Sequence, residues 1–215
     1  MRTLELFAGH ASFSKVARDR GHETFTVDID PKFKPNLVKD VTELDLDDLP
    51  YQPQVLWASP PCQKFSVARI SSNWFNDGKV SMPRNQETWE ARKLVLYTMG
   101  LIKLINPRLW FVENPVGMLR AQGFMQNYPR RTVSYCKYGD TRKKPTDIWT
   151  NSQLWKPRPI CRPSIPCGHE KTPRGSTAGT QKIRDPAKRA EIPYELMLEI
   201  VKACEEEIPY YEAVK

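Results

Sequence analysis

No apolar run in this chain of 215 residues approaches the roughly 18 that a membrane-spanning helix needs, so no membrane partner is expected. The first residues reach Glu5 and then a glycine turn before any long apolar stretch, which is not how a secretory signal reads, and a cytoplasmic location follows as an expectation. Cysteine occurs five times, an odd number scattered from Cys62 to Cys204. Without an export signal, that argues against a disulfide framework and for reduced thiols. No internal repeat is visible. Acidic side chains are outnumbered, 25 Asp and Glu against 33 Lys and Arg, for a formal charge of +8. Such a balance suits a polyanionic partner, because Lys and Arg release counterions from a phosphate backbone, although charge alone does not separate nucleic-acid binding from plain solubility.

The chain is long enough for one substantial core with a small appendage. Thr3–Phe7 reads as a strand that runs into a glycine turn at Ala8 and Gly9. A helix follows, with Phe13, Val16 and Ala17 at helical spacing. Thr24–Ile29 and Gln54–Ser59 read as buried strands, each stopped by proline. Trp89–Ile105 keeps helical periodicity, and Leu109–Val112 is a strand ending at Glu113. The alternation predicts an α/β sheet with helices on both faces and ligand sites at the carboxyl ends of its strands. Thr132–Cys136 and Asp147–Thr150 are expected as an antiparallel edge pair. Residues 1–150 would form the core. A short basic irregular insert over 151–190 would come next, and within 191–215 a helix from about Pro193 to Glu206 would pack back onto the sheet.

Three places along the chain carry candidate chemistry. The turn at Phe7-Ala8-Gly9 would let a cofactor approach the backbone, and Asp28, ending the second strand, could accept ribose hydroxyls; both residues also fit a plain tight turn and a solvated strand end. Asp40 could accept from an adenine amino group or simply face water. Ser59-Pro60-Pro61-Cys62-Gln63 holds a thiol on a loop that two prolines stiffen. A lone cysteine is commonly a small buried hydrophobe, but Glu113-Asn114 at the end of a neighbouring strand puts a carboxylate within plausible reach of whatever Cys62 attacks.

Taken in order, Phe7-Ala8-Gly9, Pro60-Pro61-Cys62-Gln63 and Glu113-Asn114 resemble the DNA cytosine-5 methyltransferase family, over roughly residues 1–150, and the whole chain is similar to the short members encoded by phages and prophages. The resemblance implies a doubly wound, Rossmann-like methyltransferase sheet with a small irregular C-terminal recognition insert. It also implies S-adenosylmethionine as cofactor, held by Phe7, Ala8, Gly9, Ser12, Asp28, Ile29, Asp40 and Pro60, and DNA as partner. Cys62 would add to carbon 6 of a flipped cytosine as a thiolate activated in an electropositive site, and Glu113 would assist at ring nitrogen 3. Asn114 would hold the Cys62 loop or Glu113, and Arg142 would contact the base. Lys64, Ser66, Lys144 and Arg174 would meet the DNA backbone. The loop from Phe65 to Arg84 would close over the site, with Trp74 and Phe75 available for stacking.

Two departures stand out. Ala11 and Ser12 replace the two adjacent glycines usual in the family's turn. The recognition region is short, which implies a short or loose target, or a partner that supplies specificity to a monomer. A catalytically silent fold that binds DNA or another protein stays open, as does a different substrate or transferred group. Cys161, Cys167 and His169 could bind zinc with one further ligand, but their spacing is not a standard one and no second pair is visible, so no metal ligands are assigned.

Overall fold

The computed structural model describes residues 1–76, 81–162, 164, 167–170, 183 and 185–213. Strands β1 (Arg2–Leu6), β2 (Glu23–Asp28), β3 (Leu37–Val38) and β4 (Val55–Ala58) are joined by helix α1 (Ser12–Asp19) and by irregular segments. Helix α2 (Ile70–Asn73) leads into a hairpin of β5 (Trp74–Asn76) and β6 (Ser81–Pro83), and helix α3 (Gln86–Ile105) returns the chain to β7 (Leu109–Pro115). After α4 (Gly123–Gln126) come β8 (Arg130–Ser134) and β9 (Pro145–Thr150), then α5 (Pro186–Ala190) and α6 (Tyr194–Ala213).

The seven-stranded sheet runs β3-β2-β1-β4-β7-β9-β8. Its first five strands are mutually parallel, and β9 and β8 close the far edge antiparallel, as the sequence predicts. Alternation within β4 shows why both faces are covered. Leu56 and Ala58 join the core under α3, with Val95, Met99 and Ile102, whereas Val55 and Trp57 point into a second core with Phe13, Val16 and Ala17 of α1 and Leu196, Ile200 and Val201 of α6. In that second core Trp57 lies between Phe13 and Phe111, with ring centroids 5.6 and 6.0 Å away. Helix α3 starts where the Asn85 side chain accepts from the Thr88 amide and stops at Asn106, which takes a left-handed conformation before Pro107.

Two boundaries differ from expectation. β7 continues to Pro115, so Glu113 and Asn114 lie inside a strand, opposite Ile148 and Asp147 of β9, rather than at its end. Added pairing with β9 explains the extension, since a neighbour on that edge supplies partners for residues that sequence periodicity leaves outside. The final helix likewise runs past Glu206. Its acidic side chains hold it to the body: Glu205 accepts from Arg20 at 2.7 and 2.6 Å, and Glu207 accepts from the Ser152 hydroxyl at 2.6 Å and the Gln153 amide at 2.8 Å. Among the described residues no helix is long and apolar enough to cross a membrane.

Candidate active site

Parallel strands bring their carboxyl ends to one edge of the sheet, and there the segments after β1, β2, β3 and β4, together with β7, enclose a cavity of about 310 Å³. Its two ends differ in chemistry. At one end lie Phe7, Ala8 and Gly9 of the first turn, with Asp28, Ile29 and Asp40; at the other lie Cys62, Glu113 and Lys144.

The first turn is held from below by carboxylates. Asp28 accepts the Gly9 amide at 2.8 Å and the Asp30 amide at 2.9 Å, one on each oxygen, which fixes the turn against the end of β2. Gly9 has φ of 48° and needs no Cβ there. Ile29 is 64% exposed yet lines the cavity, an apolar plate facing ligand space. Asp40 lines it too, while one of its oxygens caps the turn after β3 through the Thr42 amide at 2.8 Å. Ser12 sits at the start of α1, where its hydroxyl accepts the Ile192 amide at 3.3 Å.

Ala11, where the family usually has glycine, is left-handed, at φ 53° and ψ 47°. A Cβ in that region costs about 1 kcal/mol. Ala11→Gly is therefore expected to raise stability by roughly 0.5 kcal/mol, after allowing for the greater freedom of an unfolded glycine. Equilibrium denaturant unfolding measures it, and a loss of stability would show that the turn is not strained.

Glu5, in the middle of β1, is a site residue that the sequence reading missed. It is buried, lines the cavity, and accepts the Phe13 amide at 3.3 Å and the Ser14 amide at 2.7 Å in the first turn of α1. Burial pushes its carboxyl up to about 7 despite those bonds. The folded protein therefore holds a proton that the unfolded chain has lost. The resulting stabilisation is fully present below about pH 4.5 and is lost as pH rises to about 7. Relative to Glu5→Gln, the native protein is expected to lose up to about 3 kcal/mol between pH 4.5 and 7.5. Urea unfolding across that range tests this, and parallel pH profiles for the two proteins would refute it.

At the other end, Asn114 donates through Nδ2 to the Pro60 carbonyl at 3.0 Å, so it holds the Cys62 loop rather than Glu113. Glu113 is buried and accepts from the Tyr135 hydroxyl at 3.0 Å. Burial lifts its carboxyl above the usual range, opposed by Lys144 and the Tyr135 bond. The expectation of an electropositive setting for Cys62 needs correction: burial first, and then the Glu113 charge, push the thiol above its ordinary range, and Lys144 and Arg189 offset this only in part. Burial in turn pulls the Lys144 ammonium below the usual lysine range.

Five other assignments change. Arg142 does not line the cavity; its guanidinium is closed around Asp140 and donates to the carbonyls of Lys188, Arg189 and Glu191, clasping α5 and the residue just beyond it. Lys144, expected on the DNA backbone, is buried in the cavity wall, with Nζ bound to the Arg189 carbonyl at 2.9 Å and 4.7 Å from the Tyr135 ring centroid. Lys64 is paired with Glu87, and Ser66 caps the turn on its carboxyl side. Trp74 is buried against Phe65 and donates to the Lys64 carbonyl at 2.7 Å, leaving Phe75 as the exposed aromatic. Arg174 and the loop tip over 77–80 lie outside the described residues.

The model for C-5 cytosine-specific DNA methylases matches residues 1–127. A Frog virus 3 (isolate Goorha) protein named "Probable DNA (cytosine-5)-methyltransferase" is 34% identical over 167 residues, covering 74% of each chain. The chain belongs to the C-5 cytosine-specific DNA methylase family. Solved structures agree on the methylase fold. The Entamoeba histolytica methyltransferase EhMeth aligns at a TM-score of 0.51 and 16% identity, over 80% of this chain and 57% of that one. A candidate DNA modification methyltransferase encoded within an E. coli prophage aligns at 0.50 and 16%, over 75% and 52%. This methylase thus spans little more than half the length of the solved chains it matches.

Proposed function

We propose that this chain transfers a methyl group from S-adenosylmethionine to carbon 5 of cytosine in DNA, with Cys62 as nucleophile. The observation that carries the reading is that Cys62, Glu113 and Lys144 open into the same cavity as the Gly9 turn, Asp28, Ile29 and Asp40. The donor set fits the cofactor. Asp28 and Asp40 offer carboxylates to hydroxyl and amino groups, and Ile29 offers an apolar face to a purine. When bound, S-adenosylmethionine would supply an electrophilic methyl group.

The rest of the chemistry belongs to the chain. Cytosine carbon 5 is a poor nucleophile until a group adds at carbon 6. Burial favours the thiol form of Cys62, and the reaction needs its proton moved: passed to the Glu113 carboxylate, it leaves a thiolate that attacks and a carboxyl that carries the proton. Lys144, close to both, stabilises the single negative charge that the pair shares. As the sulfur bonds to carbon 6, electrons move to ring nitrogen 3, which takes the proton from Glu113, and carbon 5 becomes an enamine carbon able to accept methyl. Loss of the carbon 5 proton to a base then lets the carbon–sulfur bond break and returns the thiolate, and ring nitrogen 3 gives its proton back to Glu113. Because these atoms are hidden in a stacked duplex, the base must be swung out to reach Cys62. The short insert is consistent with a short target or with a specificity partner.

Mass spectrometry of nucleosides from the DNA and RNA of cells that express the chain tests the reading. 5-Methylcytosine is expected in DNA and absent from matched cells without the chain. Its appearance only in RNA would change the substrate, and a different mass on cytosine would change the transferred group.

A further inference from the structure

Cys136, Cys161, Cys167 and His169 converge outside the lining of the cavity, and we propose that they bind one zinc ion as a closed four-ligand site. Their ligand atoms all lie within 4.8 Å of one another. Cys167 Sγ is 3.1 Å from Cys161 Sγ, 3.3 Å from Cys136 Sγ and 2.8 Å from His169 Nδ1, and Cys161 Sγ is 3.6 Å from the same nitrogen. Tetrahedral zinc, with Zn–S near 2.3 Å and Zn–N near 2.0 Å, sets its ligands about 3.5 to 3.8 Å apart, so a small outward movement of Cys167 completes the shell. Three sulfurs and an imidazole, with no carboxylate or carbonyl among them, select a soft or borderline cation and not magnesium or calcium. A disulfide is the competing use of these thiols, but its sulfurs stand about 2.05 Å apart and it would leave one thiol and the imidazole without a task. Cys136, Cys161 and Cys167 are all free thiols in the structure.

The fourth ligand is what the sequence hid. Cys136 comes from the turn Tyr135–Tyr138 after β8, 25 residues before Cys161. Its neighbour Tyr135 is the residue that donates to Glu113. The other three ligands come from a proline-rich segment with little apolar periodicity, tethered otherwise by the Cys161 amide to the Ser134 hydroxyl at 3.1 Å and the Glu170 amide to the Thr141 carbonyl at 2.9 Å. A metal there substitutes for a core, fixing the insert to the turn that carries Tyr135.

Elemental analysis of the full chain, purified under reducing conditions without chelator, is expected to give about one zinc per chain. Cys136→Ser and Cys161→Ser should each lose most of it, while Cys62→Ser keeps it. Cobalt should bind in place of zinc and show a thiolate-to-metal absorption band that is missing from Cys136→Ser. Cys136→His, which keeps a ligand, should retain metal and fold as judged by circular dichroism, so that loss of metal is separated from loss of fold. A strong chelator should lower the melting temperature by about 5 °C or more. A folded wild-type protein without stoichiometric metal, full zinc retention by Cys136→Ser, or a Cys161–Cys167 disulfide in the reduced preparation would each overturn the site.

Discussion

Replacing Cys62 by serine is expected to leave a folded protein that still binds S-adenosylmethionine but transfers methyl on the order of 10⁴-fold or more slowly. The sulfur and its support are separate. Asn114 fixes the Pro60 carbonyl, and two prolines stiffen the approach to residue 62, so the loop does not depend on the thiol for its shape. Serine is nearly the same size, and stability should move by less than about 1 kcal/mol. The chemistry changes far more, because a hydroxyl holds its proton much more tightly than a thiol, so the Glu113 carboxylate that would take the proton of Cys62 would not take it from serine. Single-turnover transfer of labelled methyl to DNA, run beside cofactor titration, gives the comparison. Residual activity within tenfold of the native protein would remove Cys62 from the role of nucleophile, whereas lost cofactor binding would show that the sulfur shapes the pocket.

Gly117→Ala is expected to cost about 10²-fold or more in turnover although residue 117 touches no reacting atom. A Cβ added there would stand 2.1 Å from the Phe65 carbonyl oxygen and 3.1 Å from its carbon. That obstacle is backbone, and it is pinned: the same carbonyl accepts the Met118 amide at 2.8 Å, the Phe65 amide donates to the Cys62 carbonyl at 3.0 Å, and the Phe65 ring is buried against Trp74. The strain can be relieved only by moving the Cys62 loop away from β7. Overpacking of this kind also destabilises by about 1–3 kcal/mol. Gly100→Ala is the matched control, because its added Cβ meets nothing within 4 Å and a helical alanine is favoured. Normal turnover in Gly117→Ala would mean that the loop and β7 need not touch during reaction.

The parts of the site that were legible in the sequence are those whose function demands a local pattern. Gly9 needs a left-handed turn, Cys62 a stiff loop, and Asp28 the end of a strand; each leaves a short-range trace. Glu5 left none, because an acid inside an apolar strand gives no hint that it caps the helix after it. Arg142 and Lys144 were misassigned for a similar reason: which of two nearby cations reaches the cavity depends on Asp140 and on the carbonyls of residues 188–191, which only folding brings together. Glu113 was placed at the end of its strand since the pairing that extends β7 comes from residues 146–150. Cys136 was overlooked because its partners lie on the far side of β9 in the chain.

Helix α6 packs beside α1 on the face of the sheet that carries Val55 and Trp57, closing the layer in which Trp57 lies between Phe13 and Phe111. During synthesis, that layer must wait. Residues 13–17 leave the ribosome almost two hundred residues before Leu196, Ile200 and Val201 exist to cover them, so for most of translation one side of the growing sheet is bare and sticky. The chain is therefore set to reach its final form late, in a single act of closure, and a host chaperone that shields aromatic surface should raise its soluble yield more than it would for a protein whose neighbours in space are also neighbours in sequence.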